Sequence, residues 1–235
     1  MIKFSKINTL TFFDWFLILG VVISSIIHMI LTGSFDFMGS LAGVTGVICV
    51  VLVAKGNILN YIFGLINVSL YAIISFKAEL YGDAALNALY YLPMQFIGWI
   101  LWLKKRESEV SVTVVARRLN LKERMILGII SVVLVLIVSY ILDIAGDPQP
   151  LKDSATTVLS VIAMFLMVKT FMEQWVLWVT VNIISIVMWG IAYANGVEHA
   201  LLMVIMWIFY LANSVNGWVN WVRLARTPSQ NQSIS

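Results

Sequence analysis

Eight long apolar runs occupy this chain and leave little length for anything else. They cover residues 12–31, 35–54, 58–76, 82–103, 125–142, 154–168, 175–193 and 197–222. A helix needs about 20 predominantly apolar residues to span a bilayer, so each run predicts a membrane helix. The composition agrees: 61% of the 235 residues are hydrophobic and 11% are charged, against about 45–50% and about 25% in a soluble domain. A soluble globular enzyme and a disordered chain are both excluded. The fold class expected is an all-α integral membrane protein. Breaks at Lys55-Gly56-Asn57 and Ala194-Asn195-Gly196 predict tight hairpins, and 104–124 is the only long polar connection. Lys3 and Lys6 precede the first run as they would in a signal peptide. That run is long, carries Asp14 near its start and lacks an Ala-x-Ala site, so a retained membrane helix is expected. The single cysteine, Cys49, lies in an apolar run and rules out a disulfide framework.

Charge placement tests the count of eight spans. With a cytoplasmic amino terminus, one side receives Lys3, Lys6, Lys55, Lys104, Lys105, Arg106, Arg117, Arg118, Lys122, Arg124, Lys169, Arg223 and Arg226. The other receives Lys77 and Lys152, a split of 13 to 2 that uses all 15 basic residues. The positive-inside rule then places both termini in the cytoplasm. On the same argument the basic cluster 117–124 marks topology, and nucleic acid is not expected as a partner.

The chain also repeats itself. The fourth run ends Tyr91-x6-Gly98-Trp99-x2-Trp102-x-Lys104, and the eighth ends Tyr210-x6-Gly217-Trp218-x2-Trp221-x-Arg223, a constant offset of 119. Asn67 and Asn182 correspond at an offset of 115. Helices two to four therefore repeat as six to eight. The organisation expected is an extra helix in 1–34, a three-helix repeat in 35–104, a loop and linker helix in 105–152, a second repeat in 153–226 and a polar tail in 227–235. Four spans separate matching helices, so both triplets face the same way, as in transporters of the SWEET type. Such repeats commonly hold a substrate site at their interface near the midplane.

Charges within the runs are nearly absent, which disfavours proton or sodium coupling. Asp14 and Asp143 lie near predicted helix ends, and Lys77, Glu79, Glu198 and His199 near connections. Amides and aromatic rings take the interior instead. Trp175, Trp178, Asn182, Ser185 and Trp189 recur at spacings of 3, 4, 3 and 4 on one face of the seventh helix. Trp207, Tyr210, Asn213, Asn216 and Gly217 share a face of the eighth. Asn87, Tyr91, Gln95, Gly98 and Trp102 do so on the fourth, and Asn60, Asn67 and Tyr71 on the third. Single membrane amides commonly serve as helix–helix glue worth about 0.6 kcal/mol per bond. Four helices converging with amides beside indoles predict a cavity. Indoles stack on aromatic rings and attract cations, and amides both donate and accept. With no Arg or Lys on these faces, a phosphate finds no partner. The expected ligand is flat, polar and unphosphorylated, like a nucleoside or sugar. No cofactor or metal site is expected. Trp99, Trp102, Trp218 and Trp221, beside basic residues, are expected to anchor at the membrane interface.

The stretch Asn60-Tyr-Ile-Phe-Gly-Leu-Ile-Asn-Val-Ser-Leu-Tyr71, with Glu79-Leu-Tyr81 and Gly98-Trp99-x-x-Trp102, resembles the PnuC family of nicotinamide riboside transporters. Trp175-Val-Leu-Trp178-x3-Asn182 and Asn216-Gly217-Trp218 carry the likeness into the second triplet, so that it spans about residues 35–225. The resemblance implies facilitated diffusion of nicotinamide riboside into the bacterial cytoplasm through a SWEET-like homotrimer in the inner membrane, surrounded by lipid. It also implies trapping of the product by a cytoplasmic kinase. Helix faces and motifs together nominate Trp178, Asn182, Gln95, Asn67 and Tyr210 as substrate contacts, followed by Tyr91, Trp207, Asn213 and Trp175. A sugar, another vitamin or another nucleoside is the alternative cargo. A membrane enzyme is disfavoured, because two histidines near connections and one cysteine form no catalytic constellation. A structural or sensory subunit is weakened by the lack of any large soluble segment. No glycine-rich phosphate loop is present, so ATP does not power this chain alone.

Overall fold

The structure, a computed structural model, describes residues 10–33, 35, 37–77, 84–105, 114–146, 149–195 and 200–225. Among these, eight helices account for nearly everything: α1 Phe12–Thr32, α2 Phe37–Ala54, α3 Asn60–Lys77, α4 Leu92–Lys104, α5 Leu121–Ile144, α6 Pro150–Val168, α7 Gln174–Ala194 and α8 Ala200–Leu224. A π-helical turn, Leu86–Tyr91, leads into α4. The Glu79-Leu-Tyr81 motif, the loop 106–113, Glu198, His199 and the tail lie outside the described residues, as do the side chains of His28 and Trp189.

Helix starts are set by capping chemistry, and this moves two of the expected boundaries. α5 begins at Leu121, four residues before the apolar run, because Asn120 and Glu123 form a reciprocal capping box. α6 begins at Pro150, four residues early, with proline in its first turn, where a missing N–H costs nothing. α1 opens on a capping box of its own, Thr11 with Asp14. The π turn before α4 also has a local cause. Pro93 has no N–H and its ring crowds the carbonyl four residues back. The backbone widens there, and the Leu92 N–H reaches Asn87 O, five residues back.

Phe37–Ala54, Leu121–Ile144 and Pro150–Val168 are long and apolar enough to cross a membrane. Phe12–Ile27, Asn60–Ile74 and Gln174–Met188 are shorter apolar stretches. Along α5 most residues are exposed, as expected for a helix that is apolar on every side beyond its first turn.

The chain divides into two units, the second beginning at Ala116. The first contains α1 to α4 and the second α5 to α8. In each, a leading helix with a capping box packs on the helix after it, α1 on α2 and α5 on α6. Each leading helix is also tied by an ion pair to the turn beyond that next helix. In the first unit Lys55 Nζ stands 2.7 Å from Asp14 Oδ2, with both side chains buried. In the second Arg124 Nη2 stands 2.9 Å from Glu173 Oε1, with Arg124 exposed and Glu173 buried.

The two turns agree bond for bond. Lys55 N donates to Val51 O, Gly56 N to Val53 O and Asn57 N to Leu52 O; Lys169 N donates to Phe165 O, Thr170 N to Met167 O and Phe171 N to Leu166 O. Gly56 and Thr170 both have φ of 62°. Each turn then receives one backbone bond from the extended segment after α4: Val114 N to Gly56 O in the first unit, Arg117 N to Thr170 O in the second. Arg117 further lies over the Phe171 ring, Arg118 donates to Met172 Sδ, and Leu119 N donates to Glu173. Much of the basic cluster is thus engaged with its own unit.

Candidate functional site

Helix starts and turns set a register between the units of 114 positions, since 56 pairs with 170 and 60, the first residue of α3, with 174, the first of α7. α4 and α8 pair at 119, as Gly98 with Gly217 and Trp102 with Trp221. This register corrects the expected match of Asn67 to Asn182. The counterpart of Asn67 is Val181, and that of Asn182 is Val68. One residue turns a helix by about 100°, so the two asparagines face different neighbours. Asn67 Nδ2 donates to Ala42 O on α2 at 2.7 Å, across Gly46, where a Cβ would stand 2.7 Å from that nitrogen. Asn182 Nδ2 donates to Ser214 Oγ on α8 at 2.8 Å, and both residues are buried.

Gln95, on α4, is 6% exposed, and its Oε1 has no hydrogen-bond partner among the described residues. The side chain lies against Gly64 of α3, with Cys49 of α2 close by. Asn87 is buried on the π turn, and Tyr91, half-buried, closes it, its ring 5.5 Å from that of Tyr90. The first unit therefore brings Gln95 to α3 while Asn67 turns toward α2. In the second unit Trp207 and Tyr210, one turn apart on α8, meet edge to face at 5.6 Å. The Trp207 indole N–H is buried and has no hydrogen-bond partner among the described residues. Asn213 is buried on α8, and Trp178 is half-buried on α7, one turn before Asn182.

Trp175 occupies a different setting. It is 2% exposed, and its ring covers Gly217, where a Cβ would overlap it, edge to face with Trp221 at 6.2 Å. Its counterpart Tyr61 covers Gly98 in the same way, edge to face with Trp102 at 5.1 Å. Trp102 and Trp221 are fully buried. Their expected role as interface anchors is corrected: each is a core residue, held by an aromatic partner and by glycine, which lets the helices approach. Trp218 is exposed and Trp99 half-buried, so these two retain a surface. The third-helix face divides as well, since Asn60 Nδ2 is spent on the turn carbonyl of Asn57, and Tyr71 is exposed.

Two residues that sequence reading passed over lie against the candidate contacts. Ser214 accepts the Asn182 amide, and Gly64 leaves the space that Gln95 fills. Both were accessible through the repeat at the correct register, which pairs Gly64 with Trp178 and Gln95 with Ser214.

The sequence model of the family described as "Nicotinamide mononucleotide transporter" matches residues 36–223. The chain is 40% identical over 197 residues to a nicotinamide riboside transporter PnuC of Neisseria mucosa, covering 83% of this chain and 75% of that protein. It is 34% identical over 192 residues to the protein of the same name from Haemophilus influenzae, covering 81% of each. Among solved structures, a crystal structure of the vitamin B3 transporter PnuC matches with a TM-score of 0.75 and 37% identity over 92% of both chains.

Proposed function

Because the chain belongs to the PnuC family, a family of transporters and not of enzymes, we propose that it carries nicotinamide riboside across the bacterial inner membrane by facilitated diffusion. The observation that carries this reading is the 40% identity to a nicotinamide riboside transporter over 83% of the chain. The candidate residues support it chemically. Trp178, Trp207 and Tyr210 offer ring faces to a pyridinium. Asn182, Asn213, Asn67 and Gln95 offer neutral donors and acceptors to ribose and carboxamide. In this reading the protein is a homotrimer of eight-span subunits, each with one leading helix before each triplet and both termini cytoplasmic. A cytoplasmic kinase draws the flux inward by phosphorylating the product.

A second reading, transport of the mononucleotide, is suggested by the description of the matching family. The candidate contacts argue against it, because none of the nine is cationic and a phosphate dianion in a low-dielectric site calls for Arg, Lys or a row of N–H donors. Uptake of labelled riboside into proteoliposomes tests the mechanism. The expected result is entry until internal and external concentrations match, unaffected by ionophores, and continued accumulation once a riboside kinase and ATP are enclosed. Accumulation above the external level without kinase would overturn facilitated diffusion.

A further inference from the structure

We propose that Gly64 is a positioning residue for substrate recognition, acting through Gln95. The proposal rests on the reading of Gln95 as a substrate contact. Gly64 stands in the second turn of α3, inside the helix, a place where glycine weakens a helix and calls for a packing reason. That reason is Gln95. A Cβ at position 64 would overlap the Gln95 Oε1, reach 3.0 Å from its Cδ and lie 3.1 Å from Cys49 Sγ. The missing side chain lets the Gln95 carboxamide lie close against α3 at Gly64, with Cys49 of α2 beside it.

The second unit shows why the Gln95 oxygen is left without a donor. The counterparts of Gly64 and Gln95 are Trp178 and Ser214, so bulk has been exchanged between the facing helices. Ser214 receives its hydrogen bond from Asn182. The counterpart of Asn182 in the first unit is Val68, which has nothing to donate. A buried amide oxygen without a partner is uncommon and is explained where a ligand supplies the donor. The chemistry required is an N–H donor, which the carboxamide of a nicotinamide riboside carries and the carboxylate of a nicotinic acid riboside lacks. Gly64 thus sets where that acceptor points, and with it which donor a ligand must present.

The test is a double-mutant cycle read as binding of nicotinamide riboside and of nicotinic acid riboside to purified protein, with unfolding monitored alongside. Gly64→Ala and Gln95→Ala are each expected to weaken riboside binding about tenfold, the scale of one lost hydrogen bond. Both should shift the preference between the two ribosides by the same factor, and the double variant should match Gln95→Ala alone. Equal losses that add in the double variant, or a folded Gly64→Ala with unchanged affinity beside a weakened Gln95→Ala, would overturn the role of Gly64. Unchanged binding by Gln95→Ala would instead remove the parent reading of Gln95, and this proposal with it. If Gly64→Ala does not fold, Gly64→Ala/Gln95→Asn decides: the shorter amide is expected to restore folding, and failure to do so would place the clash elsewhere.

Discussion

The first unit opens its second hairpin on Gly56 and the second on Thr170, both at φ 62° and both held by the same three backbone bonds. Each unit then packs an aromatic ring over a glycine, Tyr61 on Gly98 and Trp175 on Gly217. Between these shared points the polar side chains part company. Asn67 bonds a backbone carbonyl on α2 while Asn182 bonds a serine on α8, and the Gly64–Gln95 pair of one unit stands where the other has Trp178–Ser214. Backbone geometry and close packing are thus repeated, because both units must solve the same helix-crossing problem. The polar side chains between these shared points are not repeated.

The ion pairs give the strongest way to break the comparison. Asp14 and Lys55 are both buried, so removing one partner strands a charge, which costs about 3–5 kcal/mol. Arg124 is 46% exposed, and its pair with Glu173 contributes about 0.2–1 kcal/mol. Asp14→Ala should therefore lower the thermal midpoint in detergent far more than Arg124→Ala, while Asp14→Leu/Lys55→Met should recover much of the loss. Equal effects would mean that α1, which precedes the matched family region, is only loosely attached.

The glycine–aromatic pairs test the shared scaffold. Gly98→Ala and Gly217→Ala should each destabilise by about 1–3 kcal/mol through overpacking. A tolerant member would show that one crossing is looser than its repeat. Gly56→Ala places a side chain at a left-handed position and should cost about 1–2 kcal/mol, a penalty the second unit already bears at Thr170.

Much of this was legible in the sequence. Eight apolar runs located eight helices, and Gly98-x3-Trp102 against Gly217-x3-Trp221 exposed the repeat. The errors have physical causes. α5 and α6 start four residues early because caps and a proline, rather than hydropathy, decide where a helix begins. Asn67 and Asn182 were paired because like residues attract alignment, whereas turn hydrogen bonds set the register one residue away. Trp102 and Trp221 resemble interface anchors because basic residues follow them. Their burial depends on Tyr61 and Trp175, which no local pattern connects to them.

At the small end, Asn182→Ala should weaken riboside binding about tenfold, as the loss of one hydrogen bond would. Asn67→Ala should cost stability as well as binding, since its Nδ2 also bonds Ala42 O on α2; binding titrations with parallel unfolding curves separate the two. The central claim is that neutral side chains select an unphosphorylated riboside. Titration calorimetry of the purified protein with nicotinamide riboside and with its mononucleotide tests it most directly. The account predicts binding of the riboside and at least about a hundredfold weaker binding of the mononucleotide, the scale of a phosphate buried without a cation. Equal affinity for both would contradict it.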